Sequence, residues 1–99
     1  MKLSTSQRKF LRGRTHQLQP VVMVGEKGLS ENVLKEIDQA LDHHELIKVR
    51  IRLDRNKRDQ LSGEIAEKLG AQLVHRIGQV SCYFRRNTKQ PVIELPKGS

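Results

Sequence analysis

Apolar and polar positions change their spacing several times along the chain, and each change predicts an element. Ser4 followed three positions later by Gln7 has the form of a capping box, and Phe10, Leu11 and Leu18 give an apolar side to a first helix over about residues 5–17. Pro20 pushes Gln19 out of the helical region, and the run Val21-Val22-Met23-Val24 reads as a short strand, residues 20–24, buried on both faces. Ser30 is a good N-cap for a second helix in which Val33, Leu34, Ile37, Ala40 and Leu41 recur at helical spacing as far as His44. From Ile47 the pattern becomes strict alternation, with Ile47, Val49, Ile51 and Leu53 pointing one way and Lys48, Arg50 and Arg52 the other. Asp54 caps a third helix with Leu61, Ile65 and Leu69 as its buried stripe, and Gly70 ends it. Gly63 inside that helix costs up to about 1 kcal/mol relative to Ala, which predicts close packing at that point.

Two further alternating runs flank Gly78-Gln79 and predict a hairpin. Counting outward from that turn sets Ile77 opposite Val80, His75 opposite Cys82 and Leu73 opposite Phe84 on the core side. Val74 beside Tyr83, Arg76 beside Ser81 and Gln72 beside Arg85 then lie on the other. The predicted order α-β-α-β-α-β-β specifies a two-layer α/β sandwich with a four-stranded mixed sheet. Residues 1–86 form one domain, and residues 87–99, with Pro91 and Pro96, are an extended tail lightly held against a sheet edge.

Charge narrows the function. The 99 residues carry a formal net charge of +8, which favours polyanionic partners, nucleic acid first. No apolar run approaches the roughly 20 residues that span a bilayer, and no helix joins a Lys/Arg face to bulky apolar anchors, so no membrane role is expected. The single Cys82 and the lack of an apolar leader point to a reducing cytoplasm. Residues 1–28 hold six basic and one acidic side chain, residues 29–45 one basic and five acidic, and residues 46–60 six basic and two acidic. The acidic block has helical spacing and reads as the solvated outer face of the second helix.

The sharpest local motif is Gly25-Glu26-Lys27-Gly28, between a strand and a helix N-terminus. Two glycines let backbone N–H groups approach a phosphate, the helix dipole favours an anion, and Lys27 adds a mobile charge. The same tetrapeptide also suits an ordinary turn. It is no Walker loop, since Leu29 follows Gly28, and it lacks the third glycine of a dinucleotide fingerprint. The candidate RNA-binding set adds Arg8, Lys9 and Arg12 from the first helix, Lys48, Arg50, Arg52, Arg55, Lys57 and Arg58 from the second strand and third helix, and Arg76 and Arg85 from the hairpin. Arg52, Arg55 and Arg58 are expected together at a sheet edge. Aromatic residues are few, and only Tyr83 is predicted to face outward, so backbone recognition is favoured over base reading. His75 opposite Cys82 reads as a buried histidine and thiol without an orienting acid, and one Cys with scattered His does not make a zinc site. No catalytic residue, metal, cofactor or small-molecule substrate is assigned.

The strand Val21-Val22-Met23-Val24-Gly25 into Gly-Glu-Lys-Gly-Leu-Ser, the helix with Asn32-Val33 and Glu36-Ile37, and Leu73-Val74-His75-Arg76-Ile77-Gly78 leading to Tyr83-Phe84-Arg85 match a known pattern. With them the chain resembles, over nearly its whole length, the CRM domain (chloroplast RNA splicing and ribosome maturation) in its stand-alone bacterial YhbY-like form. The resemblance implies an RNA-binding domain with a fold similar to the C-terminal domain of translation initiation factor 3, and its G-x-x-G loop falls on Gly25, Glu26, Lys27 and Gly28. Bacterial members are linked to precursors of the large ribosomal subunit and multi-domain plant members to organellar intron splicing. One copy without a transit peptide fits the former. The expected function is RNA binding as a ribosome-assembly factor on large-subunit precursor rRNA or a pre-ribosomal particle. The alternative is a non-catalytic adaptor or structural protein docking its basic face on an acidic protein partner.

Overall fold

The computed structural model describes residues 2–97. Helix α1, Thr5–Thr15, begins with the expected capping box: the Ser4 hydroxyl accepts from the Gln7 backbone N–H at 3.1 Å, and the Gln7 side chain accepts from the Ser4 N–H at 3.0 Å. Strand β1, Pro20–Val24, leads through the glycine loop to α2, Glu31–His44, whose N-cap Ser30 accepts from Val33 N–H. Strand β2 is Leu46–Ile51. Asp54 caps α3, Arg55–Leu69, which ends at Gly70 in the left-handed region. Strands β3, Gln72–Ile77, and β4, Val80–Phe84, form the hairpin. The sheet order is β1-β2-β4-β3, with β1 parallel to β2 and the other pairs antiparallel, which is the mixed four-stranded sheet expected.

Helix α1 adds a partial cover on the second face of the two-layer arrangement. Helices α2 and α3 cover one sheet face, where Ile37, Leu41 and Ile65 pack on Val22, Val24, Ile47, Val49, Ile51 and Tyr83. A second core occupies part of the opposite face, where Leu11 of α1, Leu3 and Ile93 of the tail bury Leu46, Val74, Cys82 and Phe84. Alternation along β4 makes this necessary, since Tyr83 and Ser81 point to α3 while the apolar Cys82 and Phe84 point away from it and need their own cover. Helix α1 packs on β2 and β3 and leaves the outward residues of β1, Val21 and Met23, exposed. Strand β1 is therefore an edge strand buried on one face only. Val22 and Val24 are in the core, whereas Val21 and Met23 are 47% and 53% exposed, contrary to the reading of this strand as buried on both sides.

The hairpin register holds for Ile77 with Val80, Arg76 with Ser81 and His75 with Cys82, and then shifts at a bulge between Leu73 and His75. Leu73 consequently faces Tyr83 and Gln72 faces Phe84, in place of the Leu73–Phe84, Val74–Tyr83 and Gln72–Arg85 pairs expected. The bulge sends both Val74 and His75 toward α1, where Val74 fills the second core and His75 meets His16. Tyr83 is not outward. It is fully buried, its hydroxyl donates to the Ser62 carbonyl at 3.0 Å, and burial, only partly offset by its hydrogen-bonding neighbours, pushes its pKa up to about 12. Ile77, expected on the core side, is 68% exposed. Gly63 also departs from expectation, being exposed with nothing within 4 Å of where a Cβ would stand.

The tail is held more firmly than its composition suggests. Glu45, expected on the solvated acidic face, turns the chain from α2 into β2 with φ 60° and is fully buried. Its carboxylate accepts from the backbone N–H groups of Asn87, Val92 and Ile93 at 2.6–2.7 Å and from Arg86 at 3.1 Å, while its carbonyl accepts from Arg85 N–H. Burial pushes this carboxyl up, but the donors from Ile93, Asn87 and Val92 and the Arg86 charge outweigh it and hold the pKa below the usual glutamate value. Gln7 then donates to the Pro96 carbonyl and ties the end of the tail to α1.

Candidate nucleic-acid interface

The loop after β1 is closed by its own hydrogen bond, Gly28 N–H donating to the Gly25 carbonyl at 2.9 Å, and Gly28 has φ +67°. Glycine is needed there because an L side chain in that region costs about 1–2 kcal/mol. The turn thus consumes one N–H that the sequence offered to phosphate. The N–H groups of Glu26 and Lys27 at the tip meet no acceptor among the described residues, and both side chains are exposed. Gly25 is exposed without a positive φ, so a side chain can be placed there without strain. Gly25→Asp combined with Lys27→Glu is expected to weaken RNA binding by roughly tenfold or more through lost charge-assisted contacts. The melting temperature should stay within about 5 °C of wild type. Melting and RNA affinity measured on one preparation check this, and a parallel loss of both would make the loop a structural turn.

Lys48 and Arg50 alternate with buried Ile47, Val49 and Ile51, so they point to the α1 side of the sheet, where α1 stops short of β1. Arg52 extends the ladder by donating to the Val24 carbonyl, and its guanidinium lies against Met23 Sδ at 3.7 Å. Across the strands the row Met23, Arg50, Val80, Ile77 runs over this face. Arg50 has no carboxylate partner among the described residues, and its Nε is buried without a protein acceptor. Helix α1 contains no acid. Its Lys9 and Arg12 are exposed and unpaired among the described residues, while Arg8 reaches Gln72 and the Leu73 carbonyl.

The two hairpin arginines are not part of this face. Arg76 is opposite Ser81, on the α3 side, and forms an ion pair with Asp59. That hydrogen bond, with the charges of Arg76, Arg55 and Arg58, holds the Asp59 carboxyl below its usual range. Arg85 is neutralised by Asp38 at 2.7 Å and Asp42 at 2.9 Å and also donates to the Leu69 carbonyl. Both corrections follow from which face the helices cover: Arg76 and Arg85 share the side of Ser81 and Tyr83, as alternation predicts, and that side is the one under α2 and α3, opposite to Lys48 and Arg50. Arg55, Arg58 and Arg76 surround Asp59 in a shallow groove beside Gly78, and Arg58 donates to the Leu53 carbonyl. Arg52 lies instead toward Met23, so the expected Arg52, Arg55, Arg58 cluster is split. Lys57 is exposed on the first turn of α3.

The result is a polarised molecule. Acids concentrate on the α2–α3 side and are partly paired with Arg76 and Arg85, whereas α1 and the uncovered sheet face present Lys9, Arg12, Lys48, Arg50 and Arg52. Sequence reasoning missed Val21 and Met23 as exposed surface, and it missed His16, although Arg12 and His16 stand four apart on one helical face. His75 and Cys82 share a face as expected; burial raises the thiol pKa above its ordinary value and makes it a poor nucleophile. Among the described residues no group of three or more His, Cys, Asp or Glu could hold a metal. No helix is long and apolar enough to cross a membrane.

Comparison with known proteins adds the family. Residues 3–85 match the model of the CRS1 / YhbY (CRM) domain. The chain is 43% identical over 96 residues to an "RNA-binding protein" of Haemophilus influenzae, covering 96% of each chain. It is 36% identical over 98 residues to "Probable RNA-binding protein YqeI" of Bacillus subtilis, covering 95% of this chain and 99% of that one. Its fold superimposes on the solution structure of SAV1595 from Staphylococcus aureus with a TM-score of 0.81 at 31% identity, over 96% of this chain and 100% of the other. With the three-helix, four-stranded mixed fold and the match along nearly all of its length, this chain belongs to the CRS1/YhbY (CRM) domain family.

Proposed function

We propose that this protein binds structured RNA by its sugar-phosphate backbone, without catalysing a reaction, and acts as an assembly factor on large-subunit precursor rRNA. The observation that carries the reading is the basic face of α1 and the sheet, where Lys9, Arg12, Lys48, Arg50 and Arg52 lack acidic partners among the described residues. The Gly25–Gly28 loop lies at the end of β1 on the border of that face and offers backbone donors with a mobile cation. Membership of the CRM family and relatives named as RNA-binding proteins support RNA as the polyanion. With Tyr83 buried, the described face carries no exposed tyrosine or tryptophan on which bases would stack, which favours phosphate contacts over base reading.

Affinity for a folded rRNA fragment, measured by fluorescence anisotropy across a potassium chloride series, is expected to fall steeply. The log–log slope should be roughly 3 or more, since each neutralised phosphate contributes about 0.7–0.9. A flat response, or no binding to naked RNA, would overturn the reading in favour of docking on an acidic protein. Crosslinking in cells with sequencing of the bound RNA tests the ribosomal assignment.

A further inference from the structure

The row of residues next to Arg50 carries chemistry that the interface above does not use. Lys48 of β2 is the cross-strand partner of Cys82 in β4, and Cys82 is the partner of His75 in β3, so the three lie in line on the α1 side. Strands in a sheet stand about 4.8 Å apart, which sets Lys48 and His75 roughly 10 Å from each other across a short, buried thiol. Helix α1 borders this row. Its C-cap His16 meets His75 edge to face with ring centroids 6.0 Å apart, and Arg12 precedes His16 by one helical turn. Two long cations and two imidazoles, from three elements, thus meet at the junction of α1 with the sheet.

We propose that Arg12, His16, Lys48 and His75 form a proton-linked phosphate subsite, which takes one RNA backbone phosphate as the imidazole pair gains a proton. The proposal rests on the RNA reading above and names a place and a pH dependence within it. The groups facing His75 are Arg12 and His16 from α1, Lys48 from β2 and the buried thiol of Cys82 from β4. None is a carboxylate, and neither imidazole has a hydrogen-bond partner among the described residues. In the free protein, burial and then the charges of His16, Arg12 and Lys48 depress the His75 pKa, so the ring is neutral near pH 7. A phosphate placed among these groups reverses the local sign. It offsets the repulsion between the four basic groups and favours the imidazolium, which in turn donates to it. By linkage, binding then tightens as the pH falls toward the His75 pKa of the complex from above.

The test is affinity for a short folded RNA hairpin between pH 7.5 and 5.5 at constant salt. The proteins compared are the wild type, the His16→Gln/His75→Gln double variant, and a His43→Gln control on α2, where His43 Nδ1 lies against the Gln39 carbonyl. Wild-type binding should tighten by about five- to tenfold over that range, as uptake of roughly one proton allows. The double variant should lose that response, and the control should behave as wild type. A proton NMR titration of the wild-type histidines supplies a second readout that needs no variant: added RNA should move the His75 titration to higher pH. A pH response that survives in the double variant, or a His75 titration that RNA leaves unmoved, overturns the subsite while salt-sensitive RNA binding still stands. Absence of RNA binding at every pH overturns both.

Discussion

Reversing Arg50 and Arg52 to glutamate together is expected to weaken binding to every structured RNA by roughly 30- to 100-fold at physiological salt, the loss of two charge-assisted phosphate contacts. The log–log salt slope should fall by about 1.5–2 with it. Both side chains leave the sheet on the side away from α2 and α3, Arg52 is exposed, and neither has an acidic partner among the described residues. No core contact or ion pair is lost, so the melting temperature should stay within about 5 °C of wild type. Lys35→Glu, on the acidic helix α2, makes the same kind of change away from the proposed surface and should alter affinity by no more than about twofold. Equal effects from Lys35 and from the arginine pair, scaled for charge, would mean that RNA senses net charge and no defined face. A collapse in melting temperature would mean that the face is covered. Arg52→Glu alone, at the exposed position, separates that outcome from a loss of RNA contacts.

Glu45→Gln is expected to destabilise the fold by about 3–5 kcal/mol at pH 7, because the variant leaves Arg86 and three backbone N–H groups around a neutral amide in a site without solvent. The midpoint of thermal unfolding should drop by at least roughly 12 °C. The pH dependence has a definite sign. The folded-state pKa of Glu45 lies below its unfolded value, so its contribution is fully present above about pH 4.5 and fades as pH falls through the folded value. The melting curves of wild type and variant should therefore converge in acid and separate toward neutrality. A gap that stays constant with pH would show that the side chain acts by shape alone. RNA affinity of the folded variant should change little, since Glu45 is far from solvent and its partners belong to the tail.

Local chemistry made most elements readable from the sequence. Ser4 with Gln7, Ser30, Asp54, Gly70 and the Gly78-Gln79 turn act through groups two to four residues away, and each was found where spacing placed it. The alternation of β2 likewise separated Ile47, Val49 and Ile51 from Lys48 and Arg50, since a strand in a regular ladder has only two sides. The motifs from Val21 to Ser30, Asn32-Val33 with Glu36-Ile37, and Leu73 to Arg85 were together enough to identify the family.

Tertiary structure decided which side of each strand was covered, because that depends on partners distant in sequence. A four-residue apolar run does not tell an edge strand from a central one, and only the placement of α1 over β2 and β3 exposed Val21 and Met23. One extra residue at Val74 changed the cross-strand partners expected for the rest of the hairpin, while Tyr83 and Arg85 kept the side of Ser81, and only the packing of α2 and α3 made that side the covered one. Arg76 kept its partner Ser81 but met Asp59 of α3, a carboxylate 17 positions away. Glu45 shows the same limit most plainly. At helical spacing it reads as one more solvated acid, and only the return of residues 87–93 to its carboxylate makes it the buried anchor of the tail.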